Sequence, residues 1–381
     1  MTQVIFTERC DYMKVIAAID SFKGSMTSME AGNAVKKGIL AAKPDAEVVV
    51  NPLADGGEGT VDALIEGLGA KKIPVTVTGP LGEKVSCYYG FLEETKSAVM
   101  EMASAAGITL VTKKDPLRAS TYGVGEMIAD ALKRGCKNFM IGIGGSATND
   151  GGIGMLKALG FEDGNDVGEG AAALAKIEVI RTENKNPLLS SAKFQIACDV
   201  KNPLCGKQGA TYIFGPQKGV TEEQKSKVDE AMKHYADVTK ESLGCDFADC
   251  EGAGAAGGLG YAFLSYLAGE LIPGVELILQ ATGLEEKMKN ADVVVTGEGR
   301  LDAQTVMGKA PVGVAALAKK YNAKVIAFAG SVAPEASVCN QAGIDAFFPI
   351  VRGVTTLEEA MKKENAMENI AATAEQVFRL L

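Results

Sequence analysis

The 381-residue chain carries 48 Asp and Glu against 39 Lys and Arg, a net charge of −9, with 47% hydrophobic and 23% charged residues. That length exceeds what one hydrophobic core comfortably serves, which predicts two domains, and the composition is globular rather than disordered. The acidic balance disfavours nucleic acid, no apolar run reaches the roughly 18 residues that span a bilayer, and eight cysteines with no C-x-x-C pair and no signal peptide predict reduced thiols in the cytoplasm.

In chain order, residues 1–12 show no clear pattern and read as a leader or tail. Lys14–Ile19 is a short apolar strand. Thr27-Ser-Met-Glu30 forms a capping box that opens a helix ending near Ala42, before Pro44, and Glu47–Leu53 gives a second strand followed by ADGGEGT. The middle of the chain differs, because IPVTVTG, KVSCYYGFL and SAVMEMA are closely spaced strands with partial alternation, which suits antiparallel or mixed sheet. A helix over Val124–Arg134, a strand over Asn138–Ile143, the strand FQIACDV and helices at 222–243 and 258–268 follow. Beyond Ala291 a strand-loop-helix rhythm returns with ADVVVTGEGR, a helix near Val312–Tyr321, AKVIAFAGS, DAFFPIV and a C-terminal helix. The two ends of the chain therefore look alike. They predict an α/β protein in which 13–72 and 285–381 build a Rossmann-like parallel-sheet domain and 73–284 is an inserted mixed α/β domain.

His234 is the only histidine, and it lies in the charged helical segment capped by Thr221 and Gln224, where a solvated face is expected. Its isolation excludes Ser-His-Asp hydrolases, His-ligated zinc enzymes and Cys-His acyl-transferases. Acid–base work falls to Asp, Glu or Lys.

Glycine makes up 45 of the 381 residues, about 12% against a usual figure of roughly 7%. Five glycine- and carboxylate-bearing loops follow apolar strands: DSFKG at 20, LADGGEGT at 53, GIGGSATNDGG at 142, CDVKNPLCG at 198 and TGEGRLD at 296. In open α/β sheets ligands bind at the carboxyl ends of strands, where these loops fall. GIGGSA at 142 and GAGAAG at 252 both fit a dinucleotide fingerprint. The first continues into Thr148-Asn-Asp-Gly-Gly before a helix can begin, and the second follows no buried strand, so both fit poorly. A dehydrogenase and a non-catalytic sensor of organic acids stand as the rivals to a small-molecule kinase. Phosphoryl transfer is compatible with all five loops, since it needs donors for phosphate oxygens, carboxylates for Mg2+ and a carboxylate to accept the substrate's proton.

The motifs DSFKGSMTSMEA, PLADGGEGTVDAL, VTGPLG, STYGVGEMI, IGIGGSATNDGGIGMLKALG, ACDVKNPLCGKQGA, FGPQKG, GAAGGLG, TGEGRLDAQTVMGKAPVGVA and AFAGS, in that order, resemble the bacterial type I glycerate kinases from Met13 onward. The resemblance implies ATP-dependent phosphorylation of D-glycerate, Mg2+ and two α/β domains. It carries over Asp20, Ser21, Lys23, Asp55, Glu58, Ser146, Asn149, Asp150, Asp199, Glu298, Arg300 and Asp302 as family motif positions without fixing their roles. The roles expected here are catalytic for Asp199, Lys23 and Arg300, substrate-binding for Asp20, Ser21, Asp55, Glu58 and Asn149, and metal-binding for Asp150, Glu298 and Asp302. Gly144, Gly145, Ser146, Thr148 and Lys309 are expected to meet nucleotide or phosphate. Asp199 is the expected general base, because it ends an apolar strand and partial burial there would raise its pKa. Capping the turn into NPLCG is the competing, purely structural role.

Overall fold

A computed structural model of the chain describes residues 12–54, 59–164 and 168–381. Its strands are β1 (Lys14–Ile19), β2 (Glu47–Pro52), β3 (Lys71–Thr78), β4 (Lys84–Leu92), β5 (Ser97–Glu101), β6 (Asn138–Gly142), β7 (Lys193–Ala197), β8 (Glu270–Ile272), β9 (Val293–Leu301), β10 (Lys324–Val332) and β11 (Ala346–Pro349). They form two sheets in two compact units. One unit holds the described residues up to Ala54 together with Leu279–Leu381, and the other runs from Asp55 to Ile278.

The first unit carries a five-stranded sheet of order β11-β10-β9-β1-β2, parallel throughout. Parallel strands covered on both faces need side chains that are apolar in both directions, and KVIAAI in β1 and VVV at the start of β9 supply them. The capping box at Thr27 and Glu30 forms, with Thr27 Oγ1 accepting from the Glu30 N–H and the Glu30 carboxylate accepting from the Thr27 N–H. The helix Ser28–Ala42 that it starts packs on the C-terminal helix Lys363–Phe378, and Val35, Ile39, Ile370 and Phe378 close over β1 and β9.

The second unit carries a six-stranded sheet of order β3-β4-β5-β6-β7-β8. β3–β4 and β4–β5 pair antiparallel, whereas β5–β6, β6–β7 and β7–β8 pair parallel, so the sheet is mixed as the alternation in this region predicts. The helix Thr60–Leu68, on the N-terminal side of the boundary expected at 73, packs against β4 and β5 of this unit. Of two further helices, one lies where the sequence places it, at 258–268, and one does not figure in the sequence reading. Ala255–Leu267 takes left-handed backbone at Ala256, Gly257 and Gly258, so regular helix begins only at Leu259. In Ala210–Lys218, Pro216 sits inside the last turn, followed by Gly219 at φ 102°.

Candidate active site

In the second unit β6 ends at Gly142 and runs into the glycine-rich loop. The loop is anchored on its outer side by the neighbouring segment 102–108. The Met102 N–H donates to Gly142 O, the Ile108 N–H to Gly145 O at 2.8 Å, and the Ala147 N–H to Ala106 O at 2.9 Å. Between these anchors the N–H groups of Gly144, Gly145 and Ser146 have no protein acceptor among the described residues. Gly145 has φ +72°, and successive N–H groups around one left-handed residue converge into a concave, anion-binding nest. Gly144 and Gly145 are exposed, and a Cβ built on Gly144 would meet nothing within 4 Å.

The glycines further on have a different reason. A Cβ on Gly151 would lie 2.7 Å from the Tyr235 ring and one on Gly152 2.4 Å from the Ala262 Cβ, so these two are small because the core is packed against them. One glycine run therefore does two jobs, an open face at 144–145 and close packing at 151–152.

Asp150 lies between the two halves and is fully buried. Its Oδ2 accepts from the Thr121 N–H and the Thr121 hydroxyl, both at 2.8 Å, and from the Gly154 N–H at 3.3 Å; Oδ1 accepts from the Gly152 N–H at 3.1 Å. Burial pushes its pKa above the usual carboxylate range, and the bonds from Thr121, Gly152 and Gly154 pull it back. The sequence reading expected a metal ligand here; this carboxylate is closed off from solvent and is spent on shaping the loop. It also occupies the N-terminus of the helix Ile153–Ala158, the place where a dinucleotide fingerprint would put its pyrophosphate.

Lys218, at the end of Ala210–Lys218, is 1% exposed and its Nζ donates to Thr148 O at 2.7 Å. Burial lowers its pKa to about 7, against the pull of Asp150's charge. Asn149 is equally buried and donates through Nδ2 to Thr211 Oγ1 at 3.0 Å, which leaves Asn149 Oδ1 and Thr148 Oγ1 buried without a partner.

In the first unit the carboxyl end of β1 lies beside the middle of β9, with the Asp20 N–H donating to Gly297 O at 2.9 Å. Asp20 is 8% exposed, and its Oδ1 accepts from the Ser21 N–H at 2.7 Å; Lys23 follows on an exposed turn. Glu298 is also nearly buried. Its Oε1 accepts from the Thr305 hydroxyl at 2.6 Å and its Oε2 from Lys309 Nζ at 3.3 Å. Burial raises the Glu298 pKa, opposed by those two partners. Asp302 lies 3.9 Å from the same Lys309 Nζ and 3.6 Å from Arg300 Nε, whose side chain is largely exposed. This brings Glu298, Asp302, Arg300 and Lys309 of the sequence candidates into one charged cluster.

Asp199 departs from its expected environment. It is exposed rather than partly buried, and its Oδ1 accepts the Gly274 N–H at 2.9 Å at the start of the helix Gly274–Ala281. Asp55 and Glu58 lie outside the described residues, as does nearly all of the expected leader. His234 bonds Ile177 O through Nε2.

Sequence reasoning missed Thr121, Thr211, Lys218 and Glu101. Glu101 ends β5, and its Oε1 accepts the Val61 N–H at 3.0 Å at the start of Thr60–Leu68. The motif FGPQKG pointed at Lys218 without showing that it is buried.

A family model described as the glycerate kinase family matches residues 15–381. The chain belongs to the glycerate kinase family. It is a kinase. Glycerate kinase of Bacillus subtilis is 45% identical over 371 residues, covering 96% of this chain and 97% of that protein. Glycerate 2-kinase of Escherichia coli K12 is 45% identical over 372 residues, covering 95% and 98%. A crystal structure from Salmonella typhimurium LT2 assigned as glycerate kinase 2 superposes with a TM-score of 0.89 at 42% identity, over 97% of this chain and 98% of that one. In this kinase, then, the glycine-rich loop and the charged cluster are each built from the motifs that first suggested the family.

Two stability outcomes follow from the buried pair. Asp150→Ala leaves the N–H groups of Thr121, Gly152 and Gly154 without their acceptor, a loss on the order of 3–5 kcal/mol, and should lower the melting temperature by roughly 5 °C or more in thermal denaturation. Lys218 binds its proton less tightly folded, near pH 7, than unfolded, so the unfolded chain holds more protons between about pH 7 and 10 and stability rises with pH across that window. Lys218→Met removes that contribution. Melting temperatures from pH 7 to 10 should show the wild type gaining on this variant as pH increases.

Proposed function

We propose that the enzyme transfers the γ-phosphoryl group of ATP to D-glycerate, giving 2-phosphoglycerate and ADP, in the cytoplasm and as a member of the type I group that its motifs resemble. The observation that carries this reading is the run of unpaired N–H groups at Gly144–Ser146, exposed at Gly144 and Gly145 beyond β6 and suited to a phosphate or carboxylate. Family membership supplies ATP as the expected co-substrate. The name of the Escherichia coli relative, glycerate 2-kinase, favours the 2-phosphate over the 3-phosphate product. The seven cysteines among the described residues are free thiols, in keeping with a reducing compartment.

In the step proposed, the substrate hydroxyl oxygen bonds to the γ-phosphorus, the bond to the ADP oxygen breaks, and the hydroxyl proton passes to a carboxylate. We assign that carboxylate to Asp20. It stands at a strand end and is nearly buried, whereas Asp199 follows its strand but is exposed. Ser21 orients Asp20 through its N–H, and Lys309, Arg300 and Lys23 offset phosphate charge.

The fit to Mg2+ rests on the donor set. Among the described residues no group of three or more His, Cys, Asp or Glu could hold a metal ion, but Mg2+ carried on nucleotide phosphates needs only one or two carboxylates. Asp302 and Glu298 supply two, beside Lys309. When bound, Mg2+ would neutralise charge on the phosphates.

ADP formation in a coupled assay should require both glycerate and Mg2+; ADP release indifferent to glycerate overturns the reading. Gly144→Ala meets no neighbouring atom and needs no left-handed backbone, so it should leave the melting temperature unchanged while weakening one substrate at least fivefold in KM. Unchanged KM values make the loop a turn and nothing more. Asp20→Asn should keep the fold and lose on the order of 10²-fold in kcat, with Asp199→Asn within about tenfold of wild type. The reverse ranking returns the base to Asp199.

A further inference from the structure

Thr211 and Lys218 are seven residues apart on the helix Ala210–Lys218, close to two turns, so they project from one face. That face meets the glycine-rich loop at consecutive residues, Lys218 Nζ on Thr148 O at 2.7 Å and Thr211 Oγ1 with Asn149 Nδ2 at 3.0 Å. From the other side, Gly257 presses on the same peptide so closely that a Cβ there would lie 2.1 Å from Thr148 O. Thr148 and Asn149 are wholly buried, yet Thr148 Oγ1 and Asn149 Oδ1 have no partner. A loop free to choose would not bury two orphaned oxygens, since each costs desolvation free energy that no bond offsets. Its conformation is imposed by its surroundings, and buried polar side-chain atoms left without partners call for such a cause.

We infer that Lys218 and Thr211 are positioning residues: together they clamp residues 148–149 and so hold the Gly144–Ser146 N–H groups in the arrangement that receives an anionic substrate group. The inference rests on the proposed reading that this loop binds an anion. The coupling path is short. Thr148 follows Ala147, whose N–H is fixed to Ala106 O, and Ala147 follows the open nest directly. Groups aligned before binding lose less freedom when the ligand arrives, so the clamp acts on affinity rather than on the chemical step. Neither side chain touches the ligand, because both are buried behind the loop.

The test uses the full-length enzyme, with KM for ATP and KM for D-glycerate measured separately alongside kcat and melting temperature at pH 7. Lys218→Met keeps the length and apolar stem of the side chain. It should raise one of the two KM values at least tenfold, while kcat and the other KM change by less than threefold. Thr211→Val is nearly isosteric and should raise the same KM at least threefold, and it carries the test should Lys218→Met fail to fold. Both KM values unchanged in the folded variants, or a fall confined to kcat or to the fraction of active enzyme, overturns the clamp. Gly144→Ala separates the two ideas. If it raises a KM that the clamp variants leave alone, the loop binds and the clamp is wrong; if it moves neither KM, the loop reading fails and the clamp falls with it.

Discussion

A carboxylate closed off from water has to find its hydrogen bonds inside the protein, and Asp150 finds them in two places that would otherwise have little reason to meet. Thr121 lies just ahead of the helix Tyr122–Lys133, and Gly152 and Gly154 open the helix Ile153–Ala158, while Lys218, at the end of a helix some 70 residues further along the chain, bonds the nearby Thr148 carbonyl. With the carboxyl group buried, removing any one partner is costly, because the polar atom left behind cannot be rehydrated. The loop beyond β6 consequently inherits its shape from the interior of its unit. What it presents outward, the exposed Gly144 and Gly145, is a by-product of how firmly its inward face is held.

The first unit solves a related problem by other means. Glu298 is almost as buried as Asp150, but its partners are a hydroxyl from Thr305 and a lysine that remains about one-third exposed. Thr305 in turn accepts from the Asp302 N–H at 3.2 Å, which fixes the turn that carries Asp302 towards Lys309 and Arg300. Charge at these strand ends is shared among side chains with a path to solvent. It can therefore answer an incoming phosphate, whereas Asp150, sealed and saturated, cannot.

Much of this was legible in the sequence because the relevant signals are local. The apolar runs in β1 and β9, the capping box at Thr27 and the alternation in β3 and β4 each state their structure within ten residues. The loops after β1, β6 and β7 could be found for the same reason, whereas TGEGRL, expected as a loop, continues β9 to Leu301. What escaped depends on contacts distant in sequence. Nothing in GGSATNDGG says that Asp150 faces inward, since its partners at 121 and its neighbouring lysine at 218 lie far away. Asp199 ends its strand as expected, but whether a strand-end carboxylate is covered depends on what packs over it; here the helix starting at Gly274 takes one oxygen and leaves the residue exposed. Lys218 is hidden for the same reason, since its burial rests on a contact with Thr148 O, 70 residues away.

The order β11-β10-β9-β1-β2 has a bearing on how the polypeptide reaches its native form as it leaves the ribosome. β1 is flanked by β2, which follows within about 30 residues, and by β9, which begins at Val293. Its second edge therefore stays bare until more than three-quarters of the chain has been made. Residues 55–278 form a continuous stretch with both edges of every inner strand supplied from within, so that unit can be complete while β1 is still waiting. An apolar strand held open for so long is an invitation to mispairing. Its shortness, six residues, and the early cover given by the helix Ser28–Ala42 limit how much of it a wrong partner could reach.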